Sequence, residues 1–117
     1  MINCFTNSFL ELDKRLNDSE INDDESGCTL CVVVIDIKRN RIFSVNVGDS
    51  RAIVIQQYYQ DLLKVKVITN DHKPDDIVES LRIQSNKGRI QKINNISRVY
   101  YNLENGPGLA MTRSIGD

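Results

Sequence analysis

Apolar positions along this chain move from a helical period to a strand period and back. Ile2, Phe5, Phe9, Leu12 and Leu16 recur at steps of three and four, the stripe of an amphipathic helix, with Glu11, Asp13, Lys14 and Arg15 on the opposite face. Asn17, Asp18 and Ser19 end that helix. Residues 28–37, CTLCVVVIDI, are apolar on both phases of the two-residue period, which predicts a strand covered on both faces by further layers. Lys38, Arg39 and Asn40 form a short turn into the next strand. There Phe43, Val45 and Val47 alternate with smaller or polar residues, Ile53 and Ile55 resume the alternation, and Gly48, Asp49 and Ser50 stand between. That pattern predicts strand, tight turn, strand in meander order, with the Asp49 carboxylate at the rim of the sheet.

Beyond a connector at 58–64, Val65, Val67 and Thr69 are in phase for a fourth strand. NDHKP at 70–74 is punctuation, because proline suits the first turn of a helix. A helix is predicted from there, with Asp75, Asp76 and Glu79 at its positive start, Ile77, Val78 and Leu81 as its apolar stripe and Gly88 closing it. Residues 89–100 predict a hairpin about Asn94 and Asn95, which tolerate left-handed backbone. ENGPG at 104–108 reads as a loop, and 109–115 as one helical turn. The acidic stretch 18–25 reads as a solvated loop without the spacing of a calcium loop.

At 117 residues the chain is at most one domain, and 40% hydrophobic with 26% charged residues is the composition of a globular protein. A formal net charge of -1 removes any long-range attraction for nucleic acid or an anionic membrane. No apolar stretch has the length of a membrane span, and the first residues lack a secretory signal, so an intracellular, cytoplasmic protein is expected, with the nucleus also open to it. Three cysteines argue against a disulfide framework. Cys28 and Cys31 form a C-x-x-C without a second pair of ligands, which predicts core thiols.

Several separated stretches then fall into one order: Ser26-Gly-Cys-Thr29, Asn46-Val-Gly-Asp-Ser-Arg-Ala52, Asp71-His-Lys-Pro74, Arg82-Ile83, Gly88, Arg98-Val99 and Leu109-Ala-Met-Thr-Arg-Ser-Ile-Gly-Asp117. In that order they resemble the metal-dependent protein serine/threonine phosphatases of the PP2C (PPM) family. The resemblance implies an α+β fold, a β-sandwich flanked by helices, of which 1–117 would be the central portion of a single domain, incomplete in this chain. It implies hydrolysis of phosphoserine and phosphothreonine in protein substrates by water held between Mg2+ or Mn2+ ions. Asp49 corresponds to the aspartate of the family's GDSR motif, associated with a further, more weakly held metal beside the central pair. Read from its own turn alone, Asp49 is better explained by local backbone bonding.

The family's Asp-Gly-His-Gly-Gly motif and its downstream Asp-Gly and Asp-Asn motifs are not in these 117 residues. His72 belongs to the DHKP motif and does not take the acid role of the missing histidine. Two readings follow: a portion of a working phosphatase, inactive by itself, or a non-catalytic chain that keeps the centre of the fold as an interaction surface. Arg82, Lys87, Arg89, Lys92 and Arg98 lie in a stretch without acids that resembles the family's flap, where a solvated face competes with substrate contact.

Overall fold

The computed structural model describes residues 2–23, 26–59, 62–101 and 108–117. Two helices, α1 (Ile2–Asn17) and α2 (Ile77–Ser85), accompany eight strands: β1 (Gly27–Cys28), β2 (Leu30–Asp36), β3 (Arg41–Val47), β4 (Ile53–Tyr59), β5 (Leu62–Val67), β6 (Gly88–Ile93), β7 (Ile96–Tyr101) and β8 (Ile115–Gly116). The strands pair antiparallel as β1–β8, β2–β3, β4–β5 and β6–β7, so the chain is α+β and built from hairpins. Neither helix is long and apolar enough to cross a membrane.

The predicted first helix forms, with Lys14 and Arg15 in the last turn where its carbonyls concentrate negative charge. Its stripe faces β3: the Phe5 and Phe43 rings lie 6.3 Å apart at 45°. The turn after β2 also forms. Asp36 caps a 3-10 turn by accepting the Arg39 N–H, and Asn40 takes left-handed backbone at φ 51°. Asn94 and Asn95 likewise adopt φ 50° and 64°, the two-residue turn whose twist suits a hairpin, and β6 and β7 pair in register from Gly88↔Tyr101 to Ile93↔Ile96.

Several expectations are corrected. The meander does not continue through the GDS turn, because β3 pairs with β2 while β4 pairs with β5. Side chains join the two hairpins instead: the Ser44 hydroxyl donates to the Ile68 carbonyl, and Asn46 Nδ2 donates to the Asn70 carbonyl at 2.9 Å. Residues 109–115 make no helical turn. Leu109 bridges to Val99, and the Thr112 N–H goes to the His72 carbonyl at 2.9 Å, not to a helical partner.

The second helix begins after the predicted start, because Asp76 captures the Val78 and Glu79 N–H groups as its N-cap. Its apolar stripe faces solvent, with Ile77 76% and Leu81 62% exposed, while the acid Glu79 is the buried one. The doubly covered strand is covered on one side only. Val33 and Ile35 are exposed, Cys28 is exposed and Cys31 half-buried, so the thiols are free but not core. The cause is common to both. The Cα radius of gyration is 17.2 Å, against about 13 Å for a compact domain of this length. Ile115 is the buried apolar side chain among the described residues.

Candidate metal-ligand site at the end of β3

Gly48 ends β3 with φ +93°, a conformation that costs a side chain dearly, and a Cβ there would lie 2.4 Å from Thr29 Cγ2. Glycine is thus required both by the backbone and by the close passage of the segment between β1 and β2. The turn is held from three sides. Thr29 Oγ1 and Ser50 Oγ share a hydrogen bond at 2.6 Å, Asn46 Nδ2 donates to the Gly48 carbonyl at 3.0 Å, and the Gly48 N–H donates to His72 Nδ1 at 3.2 Å. His72 returns its own N–H to the Gly48 carbonyl at 3.0 Å. The residue that sequence reasoning placed only in a motif is therefore what pins the turn.

Because Nδ1 accepts, the neutral ring carries its proton on Nε2. Burial, and then the Arg113 charge, push the His72 pKa below its ordinary value and so favour that neutral form, against a smaller opposing pull from Glu79.

Asp49 follows the pinned glycine, and its Oδ2 lies 3.2 Å from Lys73 Nζ, with the two side chains 34% and 50% exposed. The neighbouring carboxylates are differently held. Asp71 accepts the fork of Arg51 at 3.0 and 2.7 Å, which lowers its pKa. Glu79, 4% exposed, accepts from Arg113 Nε at 3.0 Å and NH2 at 2.5 Å, from Arg82 NH2 at 2.9 Å and from Thr112 Oγ1 at 2.6 Å. The Arg113 bonds hold its carboxyl well below the usual carboxylate range despite burial, with Arg82 and Thr112 adding to the effect. Sequence reasoning saw Glu79 only as an acid at a helix start. Its spacing of three from Arg82 signals half of this cluster, but nothing local points to Thr112 and Arg113.

An open cleft runs past Arg51, His72, Glu79 and Arg113. Both guanidiniums are already matched by carboxylates, so it offers no free anion site. Two of the flap cations are also engaged: Arg98 donates to the Gly108 carbonyl at 2.5 Å and Arg89 stacks 5.3 Å from the centre of the Tyr100 ring.

Among the described residues no group of three or more His, Cys, Asp or Glu converges as a metal cage. Asp49 fits one ligand position, a half-exposed carboxylate on a fixed turn; the described residues do not fit a two-ion centre, and no catalytic step is drawn through one.

A hairpin fold that holds the GDSR segment, with its carboxylate Asp49, against the DHKP segment defines the class of protein. The family model described as Protein phosphatase 2C matches residues 1–117, and the chain belongs to that family. It is similar to probable protein phosphatase 2C 61 of Arabidopsis thaliana, 39% identical over 114 residues, which cover 94% of this chain and 35% of that relative. Probable protein phosphatase 2C 1 of the same plant is 37% identical over 118 residues, covering 97% of this chain and 25% of the relative. Protein phosphatase 2C homolog 3 of Schizosaccharomyces pombe is 33% identical over 117 residues, 99% of this chain and 24% of its own length. The chain thus spans from 24% to 35% of the length of these relatives.

Proposed function

We propose that this chain is the central portion of a single PPM-type domain, a protein serine/threonine phosphatase acting on phosphorylated proteins. The observation that supports the reading is the turn at the end of β3 that carries the part-exposed Asp49 carboxylate and that His72 and Thr29 hold fixed. Asp49 would supply one oxygen to a divalent cation, Mg2+ or Mn2+. Such ions, when bound, acidify a water, neutralise phosphate charge and align an in-line attack. The hairpins are read as pieces of a β-sandwich flanked by helices, and the chain by itself as inactive, because one carboxylate cannot hold two ions.

The test is Asp49→Ala in the full-length protein, with turnover of a phosphothreonine peptide followed against Mn2+ concentration and thermal unfolding measured alongside. Turnover should fall strongly with the fold intact. Unchanged turnover and metal dependence, with stability lower by about 1 kcal/mol, would return Asp49 to a turn residue, whereas a wild type without metal-dependent turnover would favour the non-catalytic interaction module.

A further inference from the structure

We propose that the Lys73 ammonium is a built-in counter-cation of Asp49, and that a divalent cation reaches this carboxylate only by displacing it. The inference rests on the reading of Asp49 as a metal ligand and adds a competitor supplied by the same chain.

Three carboxylates lie near one another here, and each meets a different cation. Asp71 is locked by the two-pronged fork of Arg51, and Glu79 by two guanidiniums and a hydroxyl. Such planar, multiply bonded partners are pre-organised and hard to remove. Asp49 instead faces a single ammonium at 3.2 Å, half exposed, on a flexible four-carbon stem. It has no other ion pair among the described residues. Of the three, only this pair is built to open.

The backbone around it is built not to move. Gly48 and His72 exchange two hydrogen bonds, and the His72 carbonyl accepts the Thr112 N–H. Asp49 follows the first of those residues and Lys73 the second, so their main chains stay in place when the ion pair breaks. Lys73 can leave by rotating its own side chain into solvent, with the carboxylate already positioned. An incoming cation then meets a neutralised pair, not a bare carboxylate, and its affinity is reduced by whatever the pair is worth. For an exposed pair that is a factor of roughly two to five.

The experiment uses the full-length protein and reads metal binding rather than activity. Free Mn2+ is followed by electron paramagnetic resonance through a titration of the wild type, Asp49→Asn and Lys73→Gln. Asp49→Asn should remove one binding step, and Lys73→Gln should move that same step to roughly two- to fivefold lower Mn2+. A second readout separates displacement from a general change of charge. In 13Cε-lysine-labelled protein, the Lys73 resonance should move on adding Mg2+ in the wild type and stay in place in Asp49→Asn. If Asp49→Asn removes the step but Lys73→Gln leaves it unmoved or weakens it, or the Lys73 resonance ignores Mg2+, displacement is wrong and the ligand reading survives. If Asp49→Asn removes no step, the ligand reading fails and the inference falls with it.

Discussion

His72 and Gly48 exchange two hydrogen bonds, the glycine N–H to the ring Nδ1 at 3.2 Å and the histidine N–H to the glycine carbonyl at 3.0 Å. The first requires an unprotonated Nδ1, and the second ties the DHKP segment to the end of β3. Everything proposed for Asp49 depends on this closed pair, because it sets where the carboxylate starts.

It follows that acid should loosen the turn. The folded-state pKa of His72 lies below its ordinary 6.5 through burial, then Arg113. As pH falls below 6.5 the unfolded chain takes up the proton first, so stability declines over that window. His72→Asn offers an oxygen near the place of Nδ1 and does not titrate. Melting temperature measured between pH 7.5 and roughly pH 5 should fall more for wild type than for this variant, and equal slopes would remove His72 from the account.

Glu79 gives the opposite sign. Its folded pKa is depressed below 4.5, chiefly by Arg113, so its contribution is fully present above 4.5 and is lost as pH falls from there toward the folded value. Glu79→Ala at neutral pH leaves Arg82 and Arg113 without their carboxylate. Because both guanidiniums are partly exposed and regain water, the expected cost is on the order of 2 kcal/mol, below that of a fully buried pair. Urea unfolding of the full-length protein checks it, and a cost under about 0.5 kcal/mol would mean the cluster is dispensable.

Lys87 carries φ +66° in the link from α2 to β6. Left-handed backbone costs a residue with a Cβ roughly 1–2 kcal/mol, partly offset when glycine adds freedom to the unfolded chain. Lys87→Gly should therefore stabilise the protein by about 0.5–1 kcal/mol. A lower melting temperature would show that the lysine side chain contributes more than its backbone costs.

The β4–β5 hairpin aligns Ile53 with Val67, Ile55 with Val65 and Gln57 with Leu63, and all five apolar members of those pairs are exposed. Together with Ile77, Val78 and Leu81 they leave the chain by itself with apolar surface and open strand edges. It should self-associate, and Val65→Lys with Leu81→Lys should reduce that. Light scattering of a compact wild-type monomer at high concentration would count against the expectation.

The sequence by itself determined what is local. The period of three and four in α1 places Phe5 against β3, and Asn94-Asn95 makes its turn because asparagine tolerates left-handed backbone within a hairpin. Motif order was also enough for the family, since GDSR and DHKP are read without knowing where they meet. The tertiary structure decided what depends on meeting. Strand pairing across GDS went to β2 and β5 because a two-residue period says which residues share a face, not which strand lies alongside. The apolar stripe of α2 carries no record of whether its covering layer is present, and here Glu79 turns inward to two arginines instead. Lys73 and Asp49 stand 24 positions apart in sequence and 3.2 Å apart in space, brought together by two hydrogen bonds between their neighbours, one to the His72 ring and one between backbones. Hydrogen bonds of that kind leave no periodicity behind, so no pattern in the chain could have announced them.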